Sequence, residues 1–183
     1  MSTFETLKTI FRVNWTTILV GWEGLGRISP WPDRWETFPP LLTFEEVCKY
    51  CYDAIANTND TNEISFILDV LDFEKKEPEH ALVRYLIKPL SDSEHGDTAF
   101  ELRKWRAILL SEVLEGLQGD ALPDSLKIGE FWLYCGFPSD SPMKQPDLDN
   151  MCPEEYGTEE YIKRVVSANK VWLQKEMQEI NQI

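Results

Sequence analysis

Cys48 and Cys51 stand three residues apart, and a C-x-x-C pair can hand two thiolates to zinc or close a redox disulfide. The residues around them read as the interior of a capped helix, without the strand that presents a thioredoxin-type pair. Residues three apart share a helical face, so ordinary core packing is expected of these thiols. Cys135 and Cys152 bring the cysteines to four, but their separation is unlike the paired spacing of zinc sites, and no metal is expected. His80 and His95 have the right ordinary pKa for general-base work. Both fall at helix or loop edges among acids, where solvated surface histidines are expected. Asp69 and Asp72 share a helical face with Glu63 a turn or two away, and Asp147 with Asp149 makes an Asp-x-Asp. Carboxylates this close can hold magnesium or share a proton, yet no further ligand set is visible and a solvated face is the plainer reading. Gly-x-Ser-x-Gly, a phosphate-cradling glycine loop and His-Glu-x-x-His are missing, so the usual hydrolase, kinase and metalloprotease readings lack their motifs and no cofactor is expected.

Charge is the stronger signal. The chain has 18 basic and 32 acidic residues, a net charge of −14, which repels phosphate backbones and anionic lipid. Neither a nucleic-acid nor a membrane partner is expected. Residues 1–42 hold four acids and four bases, residues 43–97 thirteen and five, and the remainder fifteen and nine. From Asp53 to Glu79 only Lys75 and Lys76 offset the acids. Solubility accounts for such a run. The sharper reading is a docking face for a basic protein, made by Asp60, Glu63, Asp69, Asp72, Glu74, Glu77 and Glu79, where opposite potential speeds encounter and fixes orientation.

The elements that must position these residues read as helices almost throughout. Phe4, Leu7, Ile10 and Phe11 predict a helix over 3–12, and Trp15, Ile18, Leu19 and Trp22 another over 14–23 that Gly24 and Gly26 stop. Ser29 to Pro40 holds four prolines around Trp31 and Trp35 and predicts an ordered aromatic loop. Those two indoles could stack a ligand, although aromatics between prolines more often plug the end of a helical core. Thr43-Phe-Glu-Glu is a capping box that starts a helix running to about Ala56, and the asparagine-rich stretch after it is a turn. Ile64, Ile67, Leu68 and Leu71 predict the next helix, and His80 to Lys88 a further one that Pro89 closes before a loop over residues 91–97. From Thr98 to Leu117, Leu102, Trp105, Leu109, Val113 and Leu117 form one stripe, with Glu101, Lys104, Glu112 and Glu115 opposite, so a central packed helix is expected. Pro123 opens a shorter helix that Gly136 ends, residues 137–157 are irregular, and Thr158 caps a last long helix whose first turn Glu159 and Glu160 favour electrostatically. The fold class expected is all-α, a single-domain irregular bundle of about six to eight helices over residues 1–183. A chain of this length can remove roughly 70% of its unfolded surface from water around one core.

Three stretches resemble a bacterial family of domains of unknown function, DUF2247. VNWTTILVGWEGLGRISP is similar to its asparagine-tryptophan opening helix, KWRAILLSEVLEGLQG to its central helix, and FWLYCGFPSDSP to its tryptophan and glycine-aromatic-proline signature. After Pro142, MKQPDLDNMCP departs from the more aromatic, tyrosine-containing continuation. The resemblance transfers no catalytic residues. It implies an all-helical fold, a bacterial cytoplasmic setting and an association with toxin systems as an antitoxin-like or immunity partner. The opening residues lack the basic start and uninterrupted apolar core of a signal peptide, and no apolar run approaches the ~20 residues needed to span a bilayer, so a cytoplasmic protein with reduced thiols is expected. The expected function is therefore non-enzymatic binding of a basic protein such as a toxin. The alternatives are a carboxylate-metal enzyme using Asp69, Asp72 and His80, or an adaptor that binds through Trp31 and Trp35.

Overall fold

Helix starts in this chain are written as polar caps. In the computed structural model, which describes residues 2–25, 40–76, 78–143 and 158–182, five helices open on a side chain that accepts a bond from their first turn. The box at Thr43 forms as the sequence predicts, with the Glu46 amide donating to Thr43 Oγ1 at 3.2 Å and the Thr43 amide donating to Glu46 Oε2 at 2.8 Å. Each such cap is worth about 1 kcal/mol. Asn14 and Thr17 make a second box, which hydrophobic spacing alone did not reveal.

The fold is all-α, and the described residues contain eight helices and no strand. They are α1 (Thr3–Ile10), α2 (Trp15–Glu23), α3 (Phe44–Asn57), α4 (Thr61–Leu71), α5 (His80–Ser93), α6 (Thr98–Glu115), α7 (Ala121–Tyr134) and α8 (Glu159–Ile180). Contacts divide the chain into two compact units, with the described residues through Leu102 in the first and those from Arg103 in the second. In the first unit α2 packs on α5, and α4 packs on α5 and α3. Its core includes Phe4, Leu7, Ile18, Val47, Ile67, Val70 and Ile87. In the second, α7 packs on α8 around Trp132, with Trp105, Ile108, Leu110 and Ile128 also buried.

Three boundaries differ from the spacing rules. Pro89 does not close α5, which continues through it to Ser93. A proline inside a helix removes one bond and costs about 3 kcal/mol, but Leu90 and Ser91 beyond it are buried and Ser91 Oγ donates to Thr16 Oγ1 at 3.0 Å, so packing carries the last turn. α7 opens at Ala121, two residues before Pro123, which falls in the first turn, where no intrahelical donor is needed. The polar side of α6 is not solvated throughout: Glu101 and Lys104 are buried while Val113, Leu114 and Leu117 are only half-buried. Glu101 sits in the first unit by accepting from Thr17 Oγ1 at 2.5 Å and Asn14 Nδ2 at 3.2 Å. A stripe rule reads hydrophobicity, and a carboxylate with two such donors has no need of a water-facing side.

Candidate functional site

The acidic stretch falls on α4 and the turn after it. Ile67 and Val70 point inward and are fully buried, which turns the opposite positions, Ser65, Leu68, Asp69 and Asp72, toward solvent. Asp60 is the cap of α4 and accepts from the amides of Asn62 and Glu63. Asp72 pairs with Lys76 at 3.0 Å, and Glu74 accepts from the Tyr52 hydroxyl at 2.7 Å. Asp60, Asp69, Asp72, Glu74 and Glu79 are all exposed, against exposed Lys75 and Lys76. The face is not purely charged, because Leu68 is 55% exposed on it; Phe66, two positions earlier and so on another side of α4, is 39% exposed. Glu77 lies outside the described residues.

Glu63 belongs elsewhere. It is turned inward, accepting from Trp15 Nε1 at 2.8 Å and Thr58 Oγ1 at 2.5 Å, so it fixes the start of α2 and adds little to an outward docking surface. Nor do the residues of the metal reading converge. His80 stacks on Trp22 with ring centroids 4.8 Å apart, its Nε2 lies 2.7 Å from the Trp22 carbonyl oxygen, and Trp22 Nε1 donates to the His80 carbonyl. Among the described residues no three histidine, cysteine or carboxylate side chains form a group able to hold a metal ion. His95 is exposed in the turn after α5 at φ 51°. Trp31, Trp35, Asp147, Asp149 and Cys152 lie outside the described residues.

Sequence spacing missed a second assembly, the carboxylates gathered at the opening of α2. Glu94, at the end of α5, accepts from the Trp15 amide at 2.6 Å and reaches the Thr16 amide at 3.4 Å. Glu63 and Glu101 bind side chains of the same segment from α4 and α6. Burial raises the Glu94 pKa, the two amides pull it back, and the charges of Glu63 and Glu101 push it up again. Tyr50, edge-on to Trp15 at 4.8 Å, has its phenol pKa raised by burial and then by Glu94 and Glu63. The three partners of α2 are separated from it by 48, 79 and 87 positions, so no local pattern announces them.

A raised carboxyl pKa has a definite sign. The folded state then holds the Glu94 proton more tightly than the unfolded chain, so stability falls as pH climbs from the ordinary value of 4.5 through the raised folded value. Glu94→Gln keeps an acceptor for the two amides and removes that penalty. Its thermal midpoint is expected to match or exceed that of the parent at pH 7, and the advantage should vanish below pH 4.5. A variant less stable than the parent at pH 7 by more than at pH 4 would mean that the ionised carboxylate is the better cap.

In the second unit, the signature FWLYCGFPSDSP ends α7 in a tight reversal. The Gly136 amide donates to the Leu133 carbonyl at 3.0 Å and the Phe137 amide to the Trp132 carbonyl at 2.9 Å, the pair of bonds that closes a Schellman cap. Gly136 has φ 70° and Phe137 φ 44°. A left-handed aromatic residue costs of order 1–3 kcal/mol and persists only where its surroundings hold it. The turn sets Asp140 to accept from Trp172 Nε1 at 3.2 Å and to lie 3.7 Å from Arg106 Nη1.

The thiols are chemically quiet. Burial pushes Cys48 up to about 11, with Glu74 and Glu45 adding to it, Cys51 up to about 12, and Cys135 up to about 12 against the pull of Arg106. Near neutral pH the thiolate needed for metal binding or exchange is scarce in all three.

Among the described residues no helix is long and apolar enough to cross a membrane. No curated protein and no solved structure matches the chain. A family model described as an uncharacterised protein conserved in bacteria matches residues 4–177, a span that takes in all three signature stretches, and the chain therefore belongs to the DUF2247 family.

Proposed function

We propose that this chain is a non-enzymatic, cytoplasmic binding protein of the immunity type, which sequesters a basic cognate toxin on the outward face of α4 and the turn that follows. The observation that carries the reading is the mixture on that face: Leu68 stands exposed beside Asp69 and Asp72, with Glu74 exposed in the turn that follows. Exposed carboxylates steer a basic partner and set its orientation, while large apolar side chains supply the desolvated anchors that slow its release. Neither half would suffice, since rim charges alone add little affinity and an apolar patch alone lacks selectivity.

The test is capture of the neighbouring gene's product, at moderate and high salt, by the parent chain and by the variants Asp69→Lys/Asp72→Lys and Leu68→Ser. All three positions are exposed, so stability should move by no more than about 0.5 kcal/mol at each. Charge reversal should slow association about 10-fold or more and flatten its salt dependence, and Leu68→Ser should speed dissociation. Capture that both variants leave unchanged would remove α4 as the docking face.

A further inference from the structure

Two arginines stand one turn apart on α6, and the fold treats them differently. Arg103 is satisfied: its Nε and Nη2 donate to the two carboxylate oxygens of Glu176 at 2.7 and 2.8 Å, and Nη2 also donates to Glu179 at 2.7 Å. Arg106 is more deeply placed, with 10% of its side chain exposed against 29% for Arg103. Yet among the described residues it donates no side-chain hydrogen bond, and its charged neighbour is Asp140, 3.7 Å from Nη1. At that length the contact is a charge pair and not a hydrogen bond.

Every sealed side-chain nitrogen and oxygen among the described residues has a partner, so the guanidinium nitrogens are the part of Arg106 that solvent touches. The residue is a cation on a packed stem whose tip opens on a narrow mouth. Burying most of a guanidinium without acceptors is costly, and its planar fork matches the two oxygens of a carboxylate. On one side of it lies Cys135, whose thiol burial pushes up and the Arg106 charge pulls back. On the other is the turn from Pro138 to Ser141, closed by the Ser141 amide donating to the Pro138 carbonyl at 2.8 Å. That turn presents Asp140, which is 53% exposed and accepts from Trp172 Nε1 through its second oxygen at 3.2 Å. It follows directly on the left-handed Gly136 and Phe137, and backbone strain of this kind gathers at ligand clamps.

We propose that Arg106 receives a small carboxylate ligand, which grips the guanidinium with both oxygens, and that Asp140 is an internal stand-in which the ligand displaces. A monoanionic carboxylate suits the site better than a phosphate, because the nearby Asp140 charge opposes a dianion about twice as strongly. The site shares no residue with the outward face of α4, so either reading can fail alone.

The probe is acetate, titrated into the nitrogen-15-labelled full chain against sodium chloride at equal ionic strength and followed by NMR. Saturable shifts are expected at the Arg106 Nε–H and Trp172 Nε1–H signals with acetate and not with chloride. Arg106→Lys keeps the charge but loses the fork, and the Trp172 signal should then stop responding. Asp140→Asn keeps an acceptor for the indole and removes the competing charge, so it should bind acetate about 5-fold more tightly or better. Its half-exposed position keeps the test standing if Arg106→Lys does not fold. No saturable shift in either the parent or Asp140→Asn, an unchanged response in a folded Arg106→Lys, or weaker binding by Asp140→Asn would overturn the proposal. So would tighter binding of inorganic phosphate than of acetate, because the ligand would then be of another class.

Discussion

Trp132→Ala is expected to cost about 4 kcal/mol, the middle of the range for removing a buried aromatic ring. The indole is completely buried, lies edge-on to Phe131 and Trp172 with centroids 5.0 Å away in each case, and donates from Nε1 to Asn169 Oδ1 at 2.6 Å. Asn169 is itself fully buried and spends its amide on the Val165 carbonyl at 2.9 Å. Removing the ring therefore opens a cavity and strands an acceptor, and the second loss alone costs about 1–3 kcal/mol. In a chain of this size the sum should lower the thermal midpoint by roughly 10 °C. Trp132→Phe separates the two contributions, since it keeps most of the packing and loses the donor. Trp132→Phe with Asn169→Leu removes both polar partners and should be less damaging than the two single changes added together. Additive losses would mean that the bond contributes nothing, and a midpoint within 2 °C of the parent for Trp132→Ala would contradict the packing itself.

Gly96→Ala is the second large effect, expected at about 2–3 kcal/mol, the cost of forcing an extra methyl group into a filled space. A Cβ at position 96 would lie 2.1 Å from Thr16 Oγ1 and 2.7 Å from Thr16 Cβ. Thr16 cannot swing aside cheaply, because it is buried on α2 and its hydroxyl accepts from Ser91. The loop after α5 must retreat or α2 must, and either move disturbs the hold of Glu94 on the Trp15 amide. Thr16→Ala should rescue only part of the loss, since its Cβ remains in the way. Thr16→Gly should rescue more, after allowance for about 1 kcal/mol of helix propensity. Urea unfolding of the four chains in such a cycle measures the coupling, and additive effects would show that residues 16 and 96 do not touch.

Much of the helical frame can be read from local chemistry. Thr43 and Glu46 announce α3, Thr158 announces α8 by accepting from the Tyr161 amide even without a glutamate to complete the box, and the spacing of Ile64, Ile67 and Leu71 places α4. What local chemistry cannot supply is the identity of neighbours brought from afar. Glu63 looked like one acid in a run of acids, and the indole of Trp15, 48 positions earlier, turns it inward together with the nearby Thr58 hydroxyl. Glu101 and Lys104 looked like the solvated side of α6 because spacing rules treat charge as exposure. Pro89 looked like a stop because the rule weighs the lost backbone bond and not the burial of Leu90 beyond it. The outward acids of α4 were legible because nothing distant competes for them. The left-handed pair Gly136 and Phe137 was legible as a family pattern, but its geometry was not.

The proline inside α5 also divides that helix dynamically. Residue 89 has no amide to give the Tyr85 carbonyl, so the final turn, Leu90 to Ser93, is tied to the helix body by one bond fewer than a regular turn. That turn holds Ser91 against Thr16 and leads directly to Glu94, whose carboxylate receives the first amides of α2. Opening of the turn therefore releases both ends of the connection at once. In hydrogen exchange the amides of Trp15 and Thr16 and those of the α5 tail should lose protection together, as one cooperative unit less stable than the body of α5 anchored by Val83 and Ile87.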